Sequence, residues 1–404
     1  MADVRLLSLK SSNDVRNEIS KIGSDEYSLN SLAMKGKFIV LKIHKLNPAS
    51  CNIIKQIALS SGTDAAVHRD VITGKQKHSD LLLFGTLKEI ERIGKKLRKQ
   101  PFGLDKIGTR LLSYTDEKDK KQYLNTAERK IEIGKKTLIM GILNVTTDSF
   151  SDGGKYIDKD KAVNRALKMV EEGADMIDIG GESSRPGAET VSLAQELKRV
   201  IPVLTELRGK IDVPISIDTY KNTVAEKAIE MGAEMVNDIS GLRFDKRMVD
   251  VVRENRAAIV IMHMKGRPRN MQNNPCYDDV IQEIYNFLQE RADFSIKNGI
   301  DRESIVVDPG IGFGKRVKDN LVILNRLREF KSLGFPVLIG TSKKSFIGAT
   351  LYLPMEERLE PNLAACGITL EEGVDIVRVH DVAETRKFID MFESIRRERD
   401  SVSD

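Results

Sequence analysis

The sequence predicts an α/β protein, a (β/α)8 TIM barrel preceded by a small α/β N-terminal domain. Three observations lead there. Eight apolar, strand-like runs alternate with segments of helical period from residue 130 onward. That stretch is 275 residues long, close to the ~250 typical of a closed barrel. Each run also ends in polar groups that a buried core rejects, the pattern expected where barrel strands reach their C-terminal rim.

Residues 1–112 form the first predicted domain. Strand-like runs lie at 37–43, 64–71 and 80–86, with helix-like segments at 49–62 and 87–100, the second ended by Pro101. His44, His68 and His78 have no metal-like grouping, and no chemistry is assigned to this domain. Residues 113–129 are polar and charge-rich without apolar period, so they read as a linker. Residues 130–404 form the barrel. Its runs lie at 137–145, 174–181, 213–218, 234–240, 257–264, 304–310, 335–342 and 374–381. Gly173 and Gly232 stop two of the intervening helices. The runs are apolar almost throughout, as a parallel sheet wrapped by helices requires. An open doubly wound sheet would carry a glycine-rich fingerprint after its first strand, and G-x-G-x-x-G is absent there.

Composition narrows the function classes. A net charge of +5 over 404 residues, with 5% aromatics and no Trp, gives no case for nucleic acid. No apolar run approaches the ~20 residues of a membrane helix. The N-terminus lacks a signal-peptide core, and three cysteines without ligand spacing fit a reducing compartment. The expectation is a cytoplasmic protein with no membrane and no nucleic-acid partner.

The rim residues name a ligand type. The runs end in Asn144, then Glu182, Ser184 and Arg185, then Asp218, Asn237, His263 and Asp308, then Ser342 to Ser345, and finally Arg378, His380 and Asp381. In a barrel these ends converge on one opening. Asp218, Asn237 and Asp308 offer edges suited to a flat heterocycle with several N–H donors. Arg185, Lys344, Arg378 and His380 offer positive charge suited to phosphate. Two long polar loops, TTDSFSDGGKY after the first strand and GGESSRPGAE after the second, read as lids.

These residues carry a resemblance. The segments LNVTTDSFSDGG, DIGGESSRPGAE, SIDTYK, VNDISG, MHMKGRPRNMQ, DPGIGFGK, GTSKKSFIG and RVHDV occur in the order and spacing of the dihydropteroate synthases, over about residues 132–395. The resemblance implies a transferase that joins dihydropterin-CH2-pyrophosphate to p-aminobenzoate in folate synthesis, a sulfonamide target and a homodimer. It implies a pterin site at Asp218, Asn237, Asp308 and Lys344, and a pyrophosphate site at Asn144, Arg185, Arg378 and His380, with Mg2+ held at Asn144. It implies an aminobenzoate site of Phe150, Ser184, Arg185, Pro186, Phe313 and Ser345, and a catalytic set of Asp218, Lys344, Asn144 and Arg378. Thr147 stands where the family usually has Pro, Ser184 where it has Thr, and Lys343 where it has Arg. Lys lacks the bidentate, stacking geometry of a guanidinium, which weakens the packing expected of Lys343 on a pterin. The alternatives are a pterin-dependent methyltransferase of the same barrel superfamily, or a non-catalytic pterin-binding paralogue.

Overall fold

The computed structural model describes residues 3–116, 122–146, 159–183 and 187–397. The chain divides into two compact units, Met1–Lys120 and Lys121–Asp404.

The first unit has a three-stranded antiparallel sheet of β1 (Phe38–Leu46), β2 (Ala65–Val67) and β3 (Ser79–Thr86), in the order β1-β3-β2. Leu81 and Leu83 alternate toward Cys51, Ile54 and Ala58 of helix Pro48–Leu59 and Ile90, Ile93 and Leu97 of helix Leu87–Leu97, forming one core. Thr86 and Glu89 close a capping box at the second helix. Helix Leu104–Thr115 packs on it so closely that a Cβ at Gly108 would lie 2.7 Å from the Gly94 carbonyl oxygen. Helices Ser12–Lys21 and Glu26–Gly36 complete the unit. These two and Leu104–Thr115 were absent from the expected elements.

The second unit holds the barrel. Its strands are β6 (Leu138–Asn144), β7 (Met176–Gly180), β8 (Ile215–Asp218), β9 (Met235–Asp238), β10 (Ala258–Met262), β11 (Ile305–Asp308), β12 (Leu338–Ile339) and β13 (Ile376–Val379). They pair in parallel in the order β11-β10-β9-β8-β7-β6-β13-β12. A parallel bridge from Val307 to Val337, just ahead of β12, closes the ring. Every strand lies inside its predicted run. Outward residues such as Ile139, Ile177, Ile217, Val236 and Ile259 pack in a large cluster with helices such as Leu193–Leu207 and Val280–Lys297. Leu138, Met140, Met176, Met235, Ala258, Val260, Val306, Leu338 and Ile376 form the interior cluster.

The expected linker needs correction. Residues up to Thr115 finish a helix, while β4 (Gln122–Asn125) pairs antiparallel with β5 (Lys130–Ile133). Leu124 and Ile133 are buried in the interior cluster, with Ile131 against it, so this hairpin covers the N-terminal mouth of the barrel. Thr126 Oγ1 donates to Glu234 Oε2 at 2.5 Å and Arg129 Nε to Glu234 Oε1 at 2.7 Å, which pins the turn to a buried carboxylate. A boundary at residue 130 therefore cuts through one piece of structure. A chain starting at residue 137 is expected to melt below one starting at 121, because it loses the burial of Leu124 and Ile133, about 1.5–3 kcal/mol for each side chain. Equal thermal melts for the two truncations would contradict this role of the hairpin.

Candidate active site

Side chains alternate along a strand, so inward positions are spaced by two. Following the inward series upward on each strand, the interior changes from apolar to polar. On β7, Met176 is followed by Asp178 and Gly180; on β8, Ser216 by Asp218; on β9, Met235 by Asn237; on β11, Val306 by Asp308; on β13, Ile376 by Arg378. Pairing register sets Gly180 beside Asp218 and Asp218 beside Asn237. The upper layer thus becomes a slot lined by Asp218, Asn237, Ile239, Met262, Asp308, Ile311, Phe313, Gly340, Lys344 and Arg378. Ile239, Met262, Ile311 and Phe313 supply apolar walls, and the other side chains supply polar and charged groups. A slot of this kind suits a flat ring with a polar rim. At Gly340 the interior has no side chain, and a Cβ there would come no closer than 3.7 Å to any neighbour.

The charges are bound into one network. Arg378 Nε donates to Asp178 Oδ2 at 2.6 Å, and its Nη2 to Asp218 Oδ2 at 2.8 Å. Asn237 Nδ2 donates to the same Asp178 Oδ2 at 2.9 Å. Asp178 is fully buried. Among the described residues the remaining oxygens, Asp178 Oδ1 and Asn237 Oδ1, have no hydrogen-bond partner, so the Asn237 carbonyl is available to accept from a ligand. Burial pushes the Asp218 carboxyl up to about 7, with Asp178 and Glu196 adding to the shift and Arg378 and Lys344 opposing it. Burial would lower Arg378, but Asp178 and Asp218 outweigh it and hold the guanidinium above its ordinary range.

Two further groups sit at the slot. Asp308 Oδ1 accepts from Gly310 N at 2.7 Å, and burial moves its carboxyl up to about 6. Gly310 holds φ +71° and a Cβ there would lie 2.0 Å from the His263 carbonyl oxygen, so the turn admits only glycine. Lys344 caps the helix Ser345–Leu351 from an extended backbone, and its Nζ lies 4.2 Å from the centre of the Phe313 ring. Burial and Arg378 bring Lys344 down to about 8, against Asp308 and Asp218. Behind this wall, Lys315 is buried with its Nζ 3.0 Å from His263 Nδ1 and 3.0 Å from the Phe313 carbonyl oxygen.

The sequence-predicted residues divide into three groups. Asp218, Asn237, Asp308, Lys344, Arg378 and Phe313 come together in the slot. Asn144 ends β6 beside Gly180, His380 Nδ1 lies 3.0 Å from Ser342 Oγ, and Ser345 is the exposed first residue of its helix. Phe150, Ser184, Arg185, Pro186 and Thr147 lie outside the described residues. Lys343 is corrected: it is exposed, with Nζ 3.7 Å from Asp381 Oδ1, and does not line the slot. The replacement of Arg there bears on the rim and leaves the slot's own residues unchanged. Asp178 was missed. Its signal was present, since an acid at an inward position two residues before Gly180 has no place in a purely apolar barrel.

The donors present set how a cation could be held. Among the described residues no group of three or more His, Cys, Asp or Glu side chains forms a metal cage. Asn144, at the end of β6 beside Gly180, offers one amide oxygen. That fits Mg2+, which commonly takes one or two protein oxygens and completes its shell with water and substrate phosphate.

Comparison with known proteins agrees with this geometry. Residues 140–380 match the pterin-binding enzyme family. The dihydropteroate synthase of Bacillus subtilis is 45% identical over 277 residues, 69% of this chain and 95% of its own length. The structure of Xanthomonas albilineans dihydropteroate synthase with 4-aminobenzoic acid aligns with TM-score 0.64 at 40% identity, covering 68% of this chain and 98% of that one. A probable bifunctional folylpolyglutamate synthase/dihydropteroate synthase of Halobacterium salinarum is 38% identical over 374 residues, 91% of this chain and 44% of its own length. A polar-rimmed slot at the top of a barrel, this sequence identity and this fold together place the chain in the pterin-binding enzyme family, among the dihydropteroate synthases, transferases of folate biosynthesis.

Proposed function

We propose that the slot binds dihydropterin-CH2-pyrophosphate by its pterin ring and that p-aminobenzoate displaces pyrophosphate at its mouth, giving dihydropteroate. The observation that carries this reading is a slot with apolar walls and an Asp218, Asn237, Asp308 and Lys344 edge, opening beside Arg378. Asn237 and Asp308 accept from the N–H groups of the ring, and Lys344 donates to a ring acceptor. Arg378, with His380, Asn144 and Arg185, faces the departing pyrophosphate. Asn144 would hold Mg2+, which when bound would supply charge neutralisation of the leaving group. Asp218 stabilises the positive charge that spreads into the pterin as the C–O bond lengthens, an SN1-like course that needs no covalent nucleophile. Phe150, Ser184, Pro186, Phe313 and Ser345, with Arg185, form the aminobenzoate side.

The test is turnover by the purified full chain. Dihydropteroate is expected only with pterin pyrophosphate, p-aminobenzoate and Mg2+ together. Dihydropteroate without Mg2+, or none with all three, would rule the reading out.

A pH dependence follows from the slot. Asp218 must be ionised to face a cation, and it is held near 7; Lys344 must be protonated to donate, and it is held near 8. In the free enzyme kcat/KM for the pterin substrate is therefore expected to rise through about 7 and fall through about 8. A flat profile from pH 6 to 9 would remove both groups from the reacting set.

A further inference from the structure

Asp178 is the one charged member of the network that does not line the slot. It is fully buried beneath the lining residues, yet its Oδ2 receives both Arg378 Nε and Asn237 Nδ2. Arg378 divides its planar fork between two carboxylates. Nε goes to Asp178 at 2.6 Å and Nη2 to Asp218 at 2.8 Å. Different nitrogens make the two contacts, so one can be given up while the other holds the plane of the guanidinium. Asp178, Asp218 and Arg378 together carry one net negative charge when ionised. A cationic pterin over Asp218 balances that charge with Arg378 still paired to Asp178 through Nε.

We infer that Asp178 is a positioning residue that holds Arg378 by Nε while Nη2 passes from Asp218 to the departing pyrophosphate. The transfer releases the Asp218 carboxylate to face the pterin cation at the moment the leaving group needs the guanidinium. Asp178 is sealed from the slot and never touches substrate. Its second contact, to Asn237 Nδ2, also fixes which way the amide faces, leaving the carbonyl oxygen for the ring. This inference rests on the proposed reaction, because it assigns Arg378 an anionic leaving group.

The experiment uses the full chain carrying Asp178→Asn, which keeps the shape and removes the charge. Calorimetric titration with magnesium and inorganic pyrophosphate is expected to show binding about tenfold weaker, the scale of one charge-assisted contact. The rising limb of kcat/KM is expected to move to lower pH, because Arg378 then pairs with Asp218 alone and the like charge of Asp178 is gone. A merely structural role lowers activity without moving that limb. Wild-type affinity together with an unmoved limb would overturn the inference. If the variant does not fold, a crystal structure of the wild-type chain with magnesium pyrophosphate decides. Nε still on Asp178 with Nη2 moved to pyrophosphate supports the transfer, and any other arrangement of the two contacts overturns it. A wild-type chain that shows this geometry but makes no dihydropteroate instead refutes the reaction alone.

Discussion

Replacing Asp218 with Asn is expected to lower turnover by ~100-fold or more, the cost of removing one preorganised electrostatic stabiliser. The carboxylate ends β8 in register with Asn237 and points into the slot with 11% of its side chain exposed. There the local dielectric is low and a fixed negative charge acts strongly on a cation forming beside it. The amide has nearly the same shape, so the slot should keep its form and KM for the pterin substrate should change much less than kcat. Asn does not titrate, so the rising limb of the pH profile near 7 should also vanish. Measured kcat within a few-fold of the wild type, or a rising limb that persists, would show that Asp218 is not the group facing the cation.

Arg378→Ala should have the second large effect, on stability as well as turnover. Arg378 is the cation between Asp178 and Asp218, whose side chains are 0% and 11% exposed. Removing one partner of a buried pair leaves uncompensated charge and costs about 3–5 kcal/mol. That corresponds to a fall in melting temperature on the order of 10 °C for a unit of this size. The pH sign is fixed by the Asp218 carboxyl left behind. With the guanidinium gone its folded-state value, already raised by burial, rises further above the unfolded one. Such a group contributes stability at low pH and loses it as pH rises through the folded value. The deficit should therefore be smaller at pH 5 than at pH 8. A deficit that is equal at the two values, or larger at pH 5, would mean that the network does not carry the charges assigned to it.

Much of this was legible in the sequence, for physical reasons that can be traced to particular residues. Strands buried on both faces stay apolar through their length, so β6 to β13 stand out, and helices stopped by Gly173 and Gly232 separate two pairs of them. The slot was legible because polar residues at strand ends can converge only when the sheet closes. Asp178 escaped because it lies inside an apolar run, where a single acid looks like an exception until the inward series is followed. The hairpin β4–β5 escaped because only Leu124, Ile131 and Ile133 face the barrel and the rest of the segment is polar. The helix Ser12–Lys21 carries few apolar residues, yet Ser11 and Asp14 close a capping box that marks its start. Lys343 was assigned to the wrong side because adjacent residues at the end of a strand face different directions. Lys344 turns into the slot and Lys343, at φ +56°, turns out toward Asp381.

The most direct test is a crystal structure of the chain with pterin pyrophosphate and p-aminobenzoate bound. The pterin edge should lie within hydrogen-bonding distance of Asn237, Asp308 and Lys344, with Asp218 beside the ring and Arg378 at the pyrophosphate. A pterin bound outside the slot, or in it with pyrophosphate directed away from Arg378, would contradict the account.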